Sequence, residues 1–440
     1  MESRPVPVSL AQAFRFWLKL GFISFGGPAG QIAIMHQELV ERRRWISESR
    51  FLHALNYCMM LPGPEAQQLA TYIGWLMHRT WGGIVAGGLF VLPSVFILIA
   101  LSWIYLAWGE VPVVAGIFYG IKPAVVAIVI AAAYRIGTRT LKNGWLWSIA
   151  IAAFVAIALV QVPFPAIVLG AAAIGYAGGR FAPEKFSVGG NHGTGKAGYG
   201  PALIDDHTPT PAHAQFTWRR FFAFVGAGLA LWALGLGALA LAFGWHGAYT
   251  QMGWFFSKAA LLTFGGAYAV LPYVYQGAVE HYQWLTATQM IDGLALGETK
   301  PGPLIMVVAF IGFVGAWTLE VFGPQRLALA GAAGAVVATY FTFLPSFIFI
   351  FAGAPFVETT HGNVRFTAPL AGITAAVVGV VLSLAVFFAR HVFFAADGVD
   401  WVSLAMAAAA LAALMRFKAG LIPVILGCGA AGLCYRLLVT

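Results

Sequence analysis

Stretches of about 20 apolar residues recur along the whole chain, and each is long enough to cross a hydrocarbon core of about 30 Å. In lipid every backbone N–H and C=O must be satisfied within the protein, so such a stretch is read as a helix. Composition agrees. Only 9% of the 440 residues are charged and 60% are hydrophobic, whereas a water-soluble domain carries roughly 25% charged residues. Met1 to Leu10 is polar and holds Pro5 and Pro7, which is not the pattern of a signal peptide. The sequence therefore predicts an all-α polytopic membrane protein and excludes an ordinary cytosolic enzyme. The 25 Lys+Arg against 16 Asp+Glu then mark cytoplasmic loops in contact with a lipid bilayer, with no nucleic-acid partner. Cys58, Cys428 and Cys434 offer neither a disulfide framework nor a metal-ligand spacing. No metal site and no cofactor are expected.

The chain contains an internal duplication. Phe25-Gly26-Gly27 returns as Phe264-Gly265-Gly266, an offset of 239. The same offset pairs Lys19 with Lys258, Trp45 with Trp284, Leu55 with Leu294, and Pro62-Gly63-Pro64 with Pro301-Gly302-Pro303. After an insertion of 13 residues, Leu92-Pro93-Ser94 matches Leu344-Pro345-Ser346, and Pro123 pairs more loosely with Pro369. The expected organisation is a first repeat over 1–180, a polar cytoplasmic linker over 181–215, and a second repeat over 216–440 preceded by an extra helix at 221–244. The linker is rich in Gly, Pro, His and Thr and reads as flexible. Gly190 to Lys196 within it spells G-x-x-x-x-G-K, but Ala197 follows where a phosphate-binding loop needs a hydroxyl, and no strand precedes it.

Crossing candidates lie near 83–107, 111–134, 145–160 and 163–179, then 221–244, then 327–354, 367–390, 401–415 and 419–438. Residues 10–40 and 51–78 differ: each is two stretches of about 11–16 residues, too short to span at 1.5 Å per residue. The first block breaks at Phe25-Gly26-Gly27-Pro28 and the second at Pro62-Gly63-Pro64. Re-entrant hairpins fit these lengths; kinked crossing helices are the alternative. Charge favours re-entry. Arg42, Arg43, Arg44, Arg50, Arg79, Arg135, Arg139, Lys142 and Arg180 fall on one face only if 51–78 returns to its own side, and that face is then cytoplasmic. Five crossings precede the second repeat, so the repeats should be inverted. In agreement, Gln276 to Gln289, the counterpart of the four-arginine loop, has no Lys or Arg. The expected architecture is two inverted-topology repeats with about nine crossings plus four hairpins, or about 13 crossings if every block spans.

Breaks at membrane depth leave backbone groups unpaired and are tolerated where they line a cavity. Free N–H groups and positive helix ends there attract anions. Inverted repeats would gather all four breaks near the midplane, where transporter sites lie. The candidate anion-binding residues are accordingly Phe25, Gly26, Gly27, Pro62, Gly63, Pro64, Gly265, Gly266, Pro301, Gly302 and Pro303. Lys300 beside the second corner and Lys122 beside Pro123 join them, since a lysine in apolar sequence is expensive. Lys19 and Lys258 read equally as snorkelling side chains. Glu65 and Glu298 are candidates to carry a coupling proton, or to cap a helix start or pair with Lys300. Asn56, Gln67 and Gln68 could offer amide donors or ordinary interhelical bonds. No catalytic constellation is present.

The run Lys19-Leu-Gly-Phe-Ile-Ser-Phe-Gly-Gly-Pro28, then Arg43-Arg44-Trp45-Ile46 and Leu61-Pro-Gly-Pro-Glu-Ala-Gln-Gln68, resembles the chromate ion transporter family. Thr263-Phe-Gly-Gly266, Lys300-Pro-Gly-Pro303 and Leu344-Pro345 are similar to that family's C-terminal domain. The resemblance covers nearly all the chain outside the linker and suits the long two-domain bacterial form. It implies a multi-pass protein of the bacterial inner membrane that exports chromate, driven by the proton motive force, and so confers chromate resistance. Sulfate or another oxyanion as the main cargo stays open on these residues, as does pairing into a homodimer. A tetrahedral dianion suits helix N-termini and one or two lysines.

Overall fold

A computed structural model of the protein describes residues 6–25, 27–109, 111–186, 199–206, 208–209, 211–264, 266–359, 367–395 and 398–439. The first half holds α1 (Leu10–Ile23), α2 (Gly27–His36), α3 (Glu48–Met60), α4 (Glu65–Trp108), α5 (Pro112–Thr140), α6 (Gly144–Ala158), α7 (Phe164–Phe181) and the short α8 (Pro183–Phe186). The helix α9 (Trp218–Phe243) buries only Gly228 and Leu236 and runs along the periphery. The second half follows with α10 (Ala248–Leu262), α11 (Ala267–Tyr275), α12 (Ala287–Thr299), α13 (Val307–Thr318), α14 (Leu327–Thr359), α15 (Thr367–Phe393), α16 (Trp401–Met415) and α17 (Leu421–Val439). Among the described residues, strand structure amounts to a two-residue pairing of Phe394–Ala395 with Gly398–Val399. The protein is an all-helical polytopic membrane protein.

Seven of the described helices are long and apolar enough to cross a membrane: α4, α5, α7, α9, α14, α15 and α17. Two of the nine expected crossings, α6 and α16, are apolar helices of only 15 residues, about 22 Å long at 1.5 Å per residue. They occupy matching places in the two halves. The 44 residues of α4 are not one rod. His78 and Arg79 leave helical geometry, Arg79 with φ 57°, and the arms 65–77 and 80–108 fold back on each other. The arms approach so closely that a Cβ on Gly74 would strike the Gly82 carbonyl, and the reverse. In the second half α13 and α14 form the same hairpin, with Gly312 against Gly334. There the hinge is replaced by the segment 319–326 and its 3₁₀ turn Pro324–Arg326, which is where the insertion between the repeats falls.

The duplication extends to backbone detail. α2 runs into a π-helical turn over Gln37–Arg42, and α11 into one over Gln276–His281, in register at the offset of 239. Both turns end alike: Trp45 N–H donates to Leu39 C=O at 2.8 Å, and Trp284 N–H to Ala278 C=O at 2.8 Å. The residues that redirect the chain, Arg44 and Gln283, take φ of 53° and 52°, a region that non-glycine residues seldom visit. Beyond the broken helices, α15 packs across α5, α6 and α7, and α16 and α17 pack on α5. The seam between α5 and α17 is made by Gly116, Gly120 and Gly432, the small residues that let membrane helices approach closely.

The polar segment between the halves is not wholly detached, although its composition reads as flexible. Leu203 and Ile204 N–H donate to Arg44 and Trp45 C=O at 2.9 and 3.1 Å, and Ser47 N–H returns a bond to Ile204 C=O at 3.0 Å. His213 Nε2 lies 3.0 Å from Trp75 C=O. Buried Ala202, Ile204 and Ala214 anchor this strap on the first repeat. The Gly190 to Lys196 motif lies outside the described residues.

Sidedness of the two repeats is open to a direct test. In a chain whose three cysteines are replaced by serine, R44C and Y282C are expected to react with an impermeant maleimide from opposite faces of the membrane. Labelling from one face only would refute inversion.

Candidate functional site

The two glycine–proline corners are joined to each other's repeat. Gly63 N–H donates to Thr263 C=O at 2.7 Å, and Gly302 N–H donates to Ser24 C=O at 2.7 Å. These four residues are two repeat-related pairs, so the contacts exchange as a two-fold axis requires. Ser24 and Thr263 each end a helix, α1 and α10, and their hydroxyls donate back to Leu20 and Ala259 C=O at 2.6 and 2.7 Å. Each broken helix thus ends on a carbonyl that the other half's corner fills. That satisfies groups which would otherwise cost several kcal/mol in an apolar medium.

Hydroxyls and amides close the corners further. Ser94 Oγ donates to Pro301 C=O at 2.5 Å, and a Cβ on Gly63 would lie 2.6 Å from Ser346 Oγ, its repeat counterpart. Gln31 Nε2 donates to Gly302 C=O at 2.7 Å, and Gln68 Nε2 to Pro62 C=O at 2.8 Å. Lys300 Nζ donates to Pro303 C=O at 2.5 Å and lies 3.5 Å from Ser94 Oγ. In this arrangement the lysine braces its own corner. Gln68 Nε2 also lies 3.4 Å from Ser346 Oγ, and the Oε1 atoms of Gln31 and Gln68 are buried without a partner. Gln67 bonds within its own helix, to Thr71 Oγ1 at 3.0 Å.

Donors for an anion remain at the helix starts. Some helices that begin away from the breaks are capped by side chains, α1 by Ser9, α3 by Ser47 and α12 by Thr286, and others, α5, α7 and α10, are not. The helices that begin at the breaks belong to the second group. Pro64 before α4, Gly266 before α11 and Pro303 before the 3₁₀ turn Leu304–Met306 make no side-chain cap, so their first N–H groups stay available. Gly27 and Gly266 have φ of 69° and 98°, and a Cβ on either would meet nothing within 4 Å. Both glycines therefore border open space. Phe25 is half-buried, with its N–H bonded to Ile23 C=O at 3.1 Å. Gly26 and Gly265, also expected at this site, lie outside the described residues.

The repeats share backbone geometry but not burial. In α12 nine consecutive residues, Met290 to Glu298, are buried; in α3 only Phe51, Ala54 and Cys58 are. α12 packs on α5 and α11 on α15, while among the described residues α2 and α3 have no comparable packing against that bundle. At the first-repeat corner Pro62 is half-buried with Gly63 and Pro64 buried, and at the second-repeat corner Pro301, Gly302 and Pro303 are all buried.

The ionisable candidates divide accordingly. Glu65 opens α4, half-buried, with no hydrogen-bond or ion-pair partner among the described residues. Glu298 is buried and accepts a hydrogen bond from Tyr268. Lys122 stands apart from the corners, 3.6 Å from Asp292. Lys19 is exposed, and Lys258 lies over the Trp254 ring at 5.4 Å, as snorkelling side chains do. Asn56 is exposed on α3. Sequence reasoning passed over Ser24, Thr263, Ser94 and Ser346, although hydroxyls recurring in register were a visible signal. It also passed over Asp292, and over Glu358, which bonds Tyr72 Oη at 2.5 Å and Arg50 Nη1 at 3.3 Å. Those partners come from distant segments, so no local pattern announces them.

The family described as Chromate transporter matches residues 11–176 and 250–433. A chromate transport protein of Pseudomonas aeruginosa is 34% identical over 438 residues, covering 98% of this chain and 94% of its own length. A chromate transport protein of Cupriavidus metallidurans is 29% identical over 410 residues, 93% of this chain and 89% of its own. A probable chromate transport protein of Synechococcus elongatus is 29% identical over 385 residues, 87% and 85% respectively. No solved structure matches the chain.

The corners should tolerate no side chain at their glycines. G302A forces a methyl against Ser94 Oγ at a positive φ, a cost of about 1–3 kcal/mol for overpacking plus roughly 1–2 kcal/mol for the left-handed backbone. G266A, facing open space, carries the backbone cost alone. Thermal unfolding of the purified chain should rank wild type above G266A above G302A, with S94A restoring part of the loss in G302A. Equal midpoints for the two alanine variants would refute the tight corner.

Proposed function

Because the chain belongs to the chromate transporter family, we propose that it is a secondary active carrier that exports chromate across the bacterial inner membrane and thereby confers resistance. The observation that supports this reading is the bonding of each repeat's glycine–proline corner to the broken helix of the other repeat, with the helix starts at Gly27 and Gly266 bordering open space. Backbone N–H groups at such starts bind a tetrahedral oxyanion by charge and shape, without any bond to the metal. The binding residues would be the N–H groups at Gly27, Glu65, Gly266 and Leu304. Phe25, Pro62, Pro64, Pro301 and Pro303 would hold their directions, and Lys300 would add positive charge. In this proposal the N-terminal repeat (1–180) and the C-terminal repeat (216–440) form the cradle jointly, tied by the linker 181–215.

Energetics favour export. One elementary charge moved through 100 mV is worth about 2.3 kcal/mol, so a dianion leaving an interior about 100 mV negative gains roughly 4.6 kcal/mol. At about 1.4 kcal/mol per tenfold, that sustains an outward ratio above about a thousand. The electrical component of the proton motive force is therefore a sufficient drive. Of the two carboxyl groups expected to exchange a proton, Glu65 is the better placed, since Tyr268 already engages Glu298.

Inverted membrane vesicles test this. Radiolabelled chromate should accumulate when a potential positive inside the vesicle is imposed and should not accumulate after an uncoupler. K300A and P301A should cut the initial rate at least tenfold. Accumulation indifferent to the uncoupler would sink the coupling. Excess sulfate that competes with equal affinity would make chromate an incidental passenger.

A second measurement separates the carboxyls. E65Q is expected to abolish the response of transport to an imposed pH gradient while keeping the response to potential, and E298Q to keep both. An unaltered pH response in E65Q removes Glu65 from the mechanism.

A further inference from the structure

α5 and α6 follow each other across the turn 141–143, yet they hardly touch, and each packs along α15 instead. Both are seated closely there. A Cβ on Gly137 of α5 would lie 3.3 Å from Val378 Cγ1, and one on Gly379 would strike the Ala150 carbonyl of α6. The splay leaves a groove of about 600 Å³ with α15 as its floor. On α5 the groove runs from Ile130 to Leu141, and on α6 from Trp147 to Phe154. Tyr134, Ile151 and Leu382 along it are exposed, so it opens outward from the bundle and has no part in the corner site.

Length and charge together say what fits. At 1.5 Å per residue, Ile130 to Leu141 rises about 16 Å, close to one leaflet of a hydrocarbon core of about 30 Å. The lining is apolar apart from Thr138 and the ring tips of Tyr134 and Trp147. Trp145 and Trp147 stand exposed at the start of α6, as aromatic side chains do at headgroup level. That end of the groove is basic. From Tyr134 to Lys185 the chain carries Arg135, Arg139, Lys142, Arg180 and Lys185 against one acid, Glu184. Arg139 and Lys142 are exposed beside the groove's end and make no ion pair among the described residues. Asn143 Nδ2 donates to Lys185 C=O at 2.7 Å, which brings a further exposed lysine to the same turn.

We propose that this groove holds one anionic phospholipid of the cytoplasmic leaflet. An acyl chain lies between α5 and α6 on α15, and the phosphate sits against Arg139, Lys142 and Lys185. Basic pockets between membrane helices on the cytoplasmic side select headgroups by net negative charge. A zwitterionic lipid would bring its own ammonium to the same cluster and gain less. Filled, the groove joins α5 to α6, which the polypeptide alone leaves apart.

Native mass spectrometry of the purified full-length chain, titrated with dioleoyl phosphatidylglycerol or dioleoyl phosphatidylcholine, provides the test. Wild type should hold one phosphatidylglycerol about tenfold more tightly than phosphatidylcholine. R139Q/K142Q should remove that preference and leave phosphatidylcholine binding as it was. T138W/I151W, which fills the groove, should lose the tight site altogether. R416Q/K418Q, a basic pair away from the groove, should keep the wild-type preference. Equal affinity of wild type for the two lipids overturns the proposal, as does a preference that survives in R139Q/K142Q or falls equally in R416Q/K418Q. A dimer of chains that T138W/I151W disperses overturns it too, since the groove would then be a contact between copies. Should T138W/I151W fail to fold, the two surface pairs still decide.

Discussion

A helix interrupted inside a membrane leaves N–H and C=O groups that lipid cannot satisfy, and the whole arrangement follows from how this protein satisfies them. Each corner glycine gives its N–H to a carbonyl at the end of a broken helix in the other repeat. Neither half can complete its own backbone bonding, so the two breaks are stable only together. The hydroxyl of Ser94, the amides of Gln31 and Gln68 and the ammonium of Lys300 then fill most of what remains. What they leave unfilled are the uncapped starts of the helices that leave the breaks, the N–H groups proposed above to hold the anion.

The shared backbone and unequal burial of the two repeats belong together. Hairpins with the same π-turns, matching positive-φ residues and the same crossed bonds differ in docking: α11 and α12 pack on the bundle of α5–α7 and α15–α17, and among the described residues α2 and α3 have no comparable packing there. Two near-identical modules with two dispositions are what a carrier of inverted repeats needs, since exchanging the dispositions exchanges the open side. The energetic requirement is that neither docking be too favourable. The orphaned Oδ1 of Asp292 weakens the docking of α12 on α5 in that way.

Much of this was legible in the sequence. The offset of 239 requires no gap from Lys19 to Pro64, and the structure follows it from the π-turns to the corner bonds. The breaks at 25–28 and 62–64 were readable because Gly and Pro cannot continue a helix at those positions. The end of the second block was legible as well: the sequence bounds it at 78, with the next crossing from 83, and the hinge of α4 falls at His78–Arg79. The closeness of its two arms, Gly74 against Gly82, was not, because only the fold juxtaposes those residues. The linker misled through its composition: three buried apolar residues, Ala202, Ile204 and Ala214, outweigh the surrounding Gly, Pro and Thr. Lys300 drew attention as a lone cation, but its first partner is the carbonyl three residues on, which a spacing argument does not rank above a ligand.

The distribution of charge between the copies is the remaining clue to a single shared site. Positions repeated in both halves near the crossed bonds carry uncharged groups: Ser24 and Thr263, Gly63 and Gly302, Ser94 and Ser346. The ionisable groups beside the corners occur in one copy each, with Lys300 opposite Leu61, Glu298 opposite Met59 and Glu65 opposite Leu304. A two-fold axis through the corners would bring a duplicated charge close to its own image. Two like charges a few ångströms apart at low dielectric repel by several kcal/mol. The repeated lysines, Lys19 and Lys258, escape this cost because they lie out along α1 and α10, exposed or resting on an aromatic ring. Two independent sites would each keep a full set of charged residues. A single shared site, as proposed above, would keep one set, and the duplicated chain carries one set.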